Sequence, residues 1–276
     1  MDPPLSNGLD ACAAKLKRVE SHIRDVERWI DAYAKNGYVV SRKNDPNSGE
    51  IIYRAARVKD APLKISVVTG EALHDLRSCL DYLVWQLVSN AGNRPNRKNA
   101  FPICKSAEEF SGVTDRHLHG VPHAKVALIE RLQPYHGSNP RKHPLFLLKS
   151  FNDFDKHRVL TVAHPVIWKN SYDGLPNINV AKVRVHKPLE TGAELFRIAI
   201  TDGTDPSQVE VNYHPSCHVF FRQEAGIRTL IPVYPLLEAL RSYLHEHVFV
   251  SPGLATGFNW KPVKVQPWAT WLGDGG

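Results

Sequence analysis

Apolar residues recur at helical spacing in two long stretches near the start of the chain. Across residues 7–35 they alternate steps of three and four, which is typical of a long helix that packs on another helix at a shallow angle. A second apolar stripe runs through residues 71–88. Between them, residues 38–41 and 50–54 are rich in β-branched and aromatic side chains and flank a turn of Asn, Asp, Pro and Gly. The pattern predicts two antiparallel helices with a β-hairpin inserted between them.

Further helices are predicted along the chain, together with one ambiguous segment. Residues 63–68 have the β-branched content of a strand, yet Pro62 suits the first turn of a helix that would continue into 71–88. Ser106 and Glu109 have the spacing of a capping box, which predicts a brief helix there. Other helical patterns cover 122–132, 144–160 and 235–248.

From about residue 178 onward, apolar and polar residues alternate with a period of two. This alternation predicts the strands of an antiparallel meander at 180–186, 195–200, 208–211 and 218–222. We therefore expect an α+β fold, in which an N-terminal antiparallel helical core with its inserted hairpin packs with a C-terminal antiparallel sheet and a terminal helix. Residues 1–276 are expected to form a single domain with a helical part (about 7–165), a β-rich part (about 176–250) and a loosely ordered tail (251–276).

The composition is that of an ordinary globular protein, with 42% hydrophobic and 23% charged residues. Its formal net charge of +7 permits an acidic partner such as RNA or another polyanion, although no run of Lys and Arg forms a concentrated patch. A mildly basic protein without such a partner is the alternative.

The cysteines and the N-terminal residues indicate in which cellular compartment the protein is expected. Four cysteines occur without a CxxC pair, which indicates small buried thiols in a reducing environment: Cys12, Cys79, Cys104 and Cys217. The first residues lack the basic-then-apolar pattern of a signal peptide, and no apolar run approaches membrane-spanning length. We expect a cytoplasmic protein with no membrane contact, and a homodimer through the long helices is one assembly that the pattern permits.

A polar stripe lies beside the apolar one on the helix over 71–88. It carries His74, Arg77, Asp81 and Trp85. His and a carboxylate are the usual proton-transfer pair, and Arg stabilises negative charge on a phosphate or carboxylate. The same spacing fits a simpler role, because Arg77 and Asp81 stand at i and i+4 and can pair with each other on the helix.

The densest polar cluster is the sequence NDFDKHR at residues 152–158. Its candidate site residues are Asp153, Asp155, Lys156, His157 and Arg158. Such a cluster can hold a metal or a phosphate, or it can be structural, with an Asp as a helix cap and Arg158 in an internal salt bridge. Because Arg77 and Asp81 would be costly to bury without partners, we expect the two polar clusters to meet.

No cofactor and no metal site is predicted. Histidines crowd residues 117–136 and 214–247, but none has HExxH spacing and no cysteine lies at zinc-finger distance. A metal site assembled from distant segments is the alternative. The absence of GxGxxG, Walker and GxSxG motifs argues against a nucleotide-phosphate cradle and a hydrolase nucleophile elbow.

Four motifs between residues 60 and 165 carry a resemblance: LHDLRSCLDYL (73–83), FP (101–102), LQPY (132–135) and NDFDKHR. In these the chain resembles a family of uncharacterised bacterial proteins common in actinobacteria, a resemblance that implies no activity. More distantly, long paired helices with an Arg-x4-6-His motif resemble HEPN-type ribonucleases, which use Arg and His without a metal. The bacterial relatives often have His at the position of Tyr82, which would complete such a motif with Arg77.

Two classes of function are compatible with these features. In the first, the protein is a HEPN-like, metal-independent ribonuclease or another nucleic-acid-directed protein, with His157 or His74 as general base and Arg77 or Arg158 on the scissile phosphate. In the second, it is a noncatalytic binding or assembly module, and the polar clusters form a buried structural network. Exposure distinguishes them, since a nuclease needs His and Arg open to a basic groove.

Overall fold

The computed structural model describes residues 8–155, 162–173, 178–183, 189–200, 205, 212–221, 231–250 and 254–255. The chain divides into two compact units. One contains Met1–Asp25, Val67–Leu160 and Pro235–Gly276, and the other contains Val26–Ser66 and Thr161–Tyr234. The α+β class expected from the sequence is confirmed, whereas the expectation of one single domain stays a prediction.

The two long helices predicted from the apolar stripes are present. Helix α1 spans Gly8–Asn36 and helix α2 spans Leu63–Asn90. The ambiguous segment 63–68 is thus helical: Pro62 precedes the first turn, and Ile65 of that turn is fully buried. In the first unit, Cys12 Sγ of α1 donates to the carbonyl oxygen of Cys79 on α2 at 3.5 Å, and Cys79 Sγ donates to that of Cys12 at 3.7 Å.

The shorter helices follow the predicted positions. They are α3 (Ala107–His117), α4 (His123–Arg131), α5 (Pro144–Asp155) and α6 (Val233–Tyr243), which continues as a π-helical turn, Leu244–Phe249. Helix α3 is longer than the brief helix predicted, and its N-cap Ser106 accepts a hydrogen bond from the N–H of Glu109 as the capping box requires. The predicted continuation of α5 over 156–160 lies outside the described residues.

The second unit contains a four-stranded antiparallel sheet. Strands β1 (Tyr38–Asn44) and β2 (Ile51–Val58) form the predicted hairpin. The sheet order is β1-β2-β5-β4, with β4 at Ile178–Val183 and β5 at Glu194–Ile200. The hairpin therefore supplies half of this sheet, a pairing the sequence did not predict. Tyr53 of β2 stacks on Phe196 of β5, with ring centroids 4.3 Å apart in a buried apolar cluster.

A separate two-stranded antiparallel sheet pairs β3 (Val162–Asp173) with β6 (Asn212–Phe221). Strand β3 was not among the strands predicted from the sequence. The strand lacks strict alternation and contains Pro165, which lies where the ladder register shifts, a position that tolerates proline. The strand predicted at 208–211 and most of the tail lie outside the described residues.

None of the helices in the described part of the chain is both long enough and apolar enough to cross a membrane.

Candidate functional site

The polar stripe of α2 contains an ion pair that holds a neighbouring loop. Arg77 Nη2 lies 3.0 Å from Asp81 Oδ1 and donates a hydrogen bond of 2.8 Å to the carbonyl oxygen of Phe101. The N–H of Phe101 donates to Asp81 Oδ1 at 2.9 Å. Both backbone polar groups of Phe101 are therefore satisfied by this pair, and the residue is only 1% exposed. The i, i+4 pairing that the sequence offered as the structural alternative is present, and it fixes the loop after α2.

His74 lies on α2 about one turn before Arg77. It is exposed, and its Nε2 lies 3.4 Å from Ser78 Oγ. Of the three α2 residues predicted as a site, Arg77 and Asp81 contact each other, while His74 makes its side-chain contact with Ser78.

A histidine that the sequence analysis did not assign to this site lies beside the ion pair. His117, the last residue of α3, is close enough to Arg77 and Asp81 for both charges to act on its ring. Burial lowers the pKa of His117, the cations Arg116 and Arg77 lower it further, and Asp81 opposes them. The sequence signal was only the crowding of histidines over 117–136, because nothing in the spacing shows that α3 ends beside α2.

Hydrogen bonds fix the basic loop 93–99 to the end of α3. Asn99 Nδ2 donates to the carbonyl oxygens of His117 and His119, at 3.2 and 3.0 Å. At the other end of the loop, Asn93 Nδ2 donates to the carbonyl oxygen of Gly120 at 2.9 Å. The loop and the α3 terminus therefore lie side by side. We call this region the basic face and define it by its exposed side chains, Arg94, Arg97, Lys98, Arg116 and His119.

The basic face carries charge that local acids do not neutralise. In the part of the chain that the structure describes, none of its five side chains forms an ion pair. Arg77, in contrast, is neutralised by Asp81. The sequence shows no concentrated basic patch because these residues come from two segments that only folding brings together.

The NDFDKHR cluster is divided between described and undescribed residues. Asp153 pairs with Lys149 at 2.7 Å on the surface, with both side chains nearly half exposed. The carboxylate of Asp155 lies against Gly70 of α2. Lys156, His157 and Arg158 lie outside the described residues. The contact between α5 and α2 is thus made at Gly70, roughly 10 Å along the helix axis from Arg77, and a meeting of the two clusters stays a prediction.

His143 has a structural role at the start of α5, next to Tyr243. His143 Nδ1 accepts from the N–H of Leu145, which caps α5, and its Nε2 lies 3.2 Å from Tyr243 Oη. Burial lowers the pKa of His143 to about 4, and His247 acts in the same direction. Burial likewise raises the pKa of Tyr243 to about 12. Within the described residues, no group of three or more His, Cys, Asp or Glu is placed to hold a metal ion.

Comparison of the chain with protein-family models, curated proteins and solved structures found no match. What the protein does must therefore be inferred from the geometry of its own side chains.

Proposed function

We propose that the protein binds RNA or another polyanion through the basic face, and that Arg77 and Asp81 serve to build this face rather than to do chemistry. The observation that carries the proposal is the set of five exposed cationic or ionisable side chains without ion-pair partners on two segments that are hydrogen-bonded to each other. A phosphate backbone is recognised by such side chains because each contact releases condensed counterions.

The hydrogen bonds that hold the basic loop in place also support polyanion binding at the basic face. Side-chain amides fix its backbone at three points: Asn93 bonds Gly120, Asn96 Oδ1 accepts from the N–H of Lys98, and Asn99 Oδ1 accepts from the N–H of Asn96. A loop held in this way presents its cations with less loss of conformational entropy on binding than a free loop would. Beyond the loop, Arg77 and Asp81 anchor the chain at Phe101.

The test is the salt dependence of binding to a fluorescein-labelled single-stranded RNA, followed by fluorescence anisotropy. The triple variant Arg94→Ala/Arg97→Ala/Lys98→Ala should bind at least tenfold more weakly at low salt, and its slope of log K against log salt should be shallower by about 2, since each phosphate contact contributes about 0.7.

A matched control removes three exposed cations elsewhere in the same unit: Lys17→Ala/Arg131→Ala/Lys142→Ala. The two variants have the same net charge, so a difference between them reports position rather than total charge. Equal weakening in both variants, or no binding by the wild-type chain at low salt, would overturn the proposal.

Metal-independent RNA cleavage is a second candidate, and one observation favours it. Arg77 Nη1 and His117 Nδ1 are both buried, and neither has a hydrogen-bond partner within the described residues. The lowered pKa of His117 favours the neutral ring that a general base requires. The ion pair with Asp81 counts against the candidate, because it offsets the charge that Arg77 would offer a phosphate.

The experiment for cleavage is incubation of the purified chain with total RNA, with and without EDTA. Cleavage that survives EDTA and disappears in His117→Ala, but persists in the exposed-histidine control His123→Ala, would support catalysis at this cluster. Variants His157→Ala and Arg158→Ala test the sequence-based assignment in the same assay. Intact RNA in all samples, with the anisotropy signal retained, supports the noncatalytic binding module.

A further inference from the structure

An exposed tryptophan lies on α2, the helix that leads into the basic loop. Trp85 of α2 is 48% exposed, an unusual position for the largest apolar side chain. It stands four residues after Asp81, which places it one turn further along the helix and about 40° away around the axis.

Both ends of the basic loop are anchored on α2, on either side of the Trp85 position. After α2 ends at Asn90, the N–H of Asn93 donates to the carbonyl oxygen of Val88 at 3.2 Å. The chain then returns along α2, because the N–H of Phe101 bonds Asp81 Oδ1. The ends of the loop that carries Arg94, Arg97 and Lys98 therefore lie at the levels of Val88 and Asp81 along α2, and Trp85 lies between these two levels.

From this arrangement we infer that the site takes unpaired bases, with one base stacked on the Trp85 indole while the loop cations hold the flanking phosphates. The inference rests on the proposed function and narrows the ligand to single-stranded nucleic acid. Stacking on an aromatic side chain beside a basic groove is how proteins bind single strands without reading sequence, since every base has a π-face. A duplex offers the same phosphates, but its base faces are already stacked and cannot reach the indole.

The test compares a single-stranded RNA with a duplex of the same sequence, using wild-type protein, Trp85→Ala and Trp85→Phe. Trp85→Ala should lower affinity for the single strand about tenfold and leave duplex affinity unchanged. Trp85→Phe should restore most of the loss, because it retains an aromatic face. The matched control is Tyr82→Ala, which removes another exposed aromatic of α2 one turn earlier.

The outcomes separate this inference from the proposed function. If the triple loop variant abolishes binding while Trp85→Ala does not weaken it, the basic face stands and base stacking is wrong. Equal losses for the single strand and the duplex, or equal losses in Tyr82→Ala and Trp85→Ala, also overturn the stacking role. If the wild-type chain binds neither RNA, the proposed function and the inference fail together.

Discussion

The carboxylate of Asp155 lies so close to Gly70 that a methyl group on this glycine would come within 2.5 Å of Asp155 Oδ2. The absence of a side chain at position 70 is therefore what allows the Asp155 carboxylate to lie directly against α2. This contact connects the described part of the NDFDKHR motif to the helix that carries Arg77 and Asp81.

Gly70→Ala is expected to stabilise the protein less than Gly112→Ala does. Alanine should gain roughly 1 kcal/mol from helix propensity, but the methyl group meets the end of the Asp155 side chain, which must rotate away and give up contacts that it makes in the native structure. Urea denaturation measures the free energy of unfolding. Gly112→Ala in α3 is the matched control, since nothing lies within 4 Å of its added methyl group, and it should stabilise by about 0.5–1 kcal/mol. Equal stabilisation by both substitutions would contradict the close approach.

Asp81→Ala is expected to cost about 2 kcal/mol of folding free energy. It leaves the buried N–H of Phe101 without an acceptor and removes the carboxylate beside Arg77. Asp81→Asn retains an acceptor oxygen and should cost about half as much. Lys149→Ala breaks an exposed i, i+4 pair of the same kind, that with Asp153, and should change stability by less than about 0.5 kcal/mol. Similar losses in Asp81→Ala and Lys149→Ala, measured by urea unfolding, would show that the Phe101 contact contributes nothing.

Stability should fall as the pH is lowered through the range set by His143. Burial lowers the pKa of His143 to about 4 in the folded protein, from the ordinary histidine value of 6.5. Between these values the unfolded chain binds more protons than the native protein, so the free energy of unfolding falls as pH falls. The contribution of neutral His143 to the free energy of unfolding is complete above about pH 6.5. It should decline by about 2 kcal/mol near pH 4, allowing for partial exposure of the side chain.

The measurement for His143 is urea unfolding of the wild-type chain and His143→Asn between pH 7 and pH 4. Asparagine can also cap a helix but does not titrate in this range. The stability difference between the two proteins should shrink or reverse in sign as the pH is lowered. Parallel pH profiles would contradict the assignment of this titration to His143.

The buried cysteines should resist thiol reagents in the native protein. Burial raises the pKa of Cys12 to about 12 and that of Cys104 to about 11, and it also raises the pKa of Cys79. Few thiolates are therefore present at neutral pH, and access is closed as well. In a Cys217→Ser variant, reaction with Ellman's reagent should be slow in buffer and fast in urea. Rapid labelling of any of the three in buffer, located by mass spectrometry, would show that the core of the first unit opens.

The long helices could be predicted because their apolar spacing is a local property. The stripe residues of α2 are all buried: Leu73, Leu76, Leu80, Leu83, Val84 and Leu87. Residues 63–68 could not be assigned in this way, because their β-branched side chains suit a strand and a buried helix equally. In the folded chain Ile65 is buried whereas Leu63 and Val67, which would share its face in a strand, are exposed, and this burial pattern fits the helix. Strand β3 was not predicted because it contains Pro165 and alternates only weakly. Its pairing with β6 is what makes it a strand, and this pairing joins residues distant in the sequence.

In the candidate site, too, some features follow from local spacing and others only from tertiary contacts. The sequence by itself determined the α2 helix and hence the i, i+4 pairing of Arg77 with Asp81, because a helix fixes which side chains share a face. It also determined the α+β class and the burial of Cys12, Cys79 and Cys104. Only the tertiary structure decided that His117 lies beside this pair, that two basic segments form one face, and that Asp155 lies against Gly70. These contacts join residues distant in the chain, and they depend on where loops return and how helices pack, which no local spacing specifies.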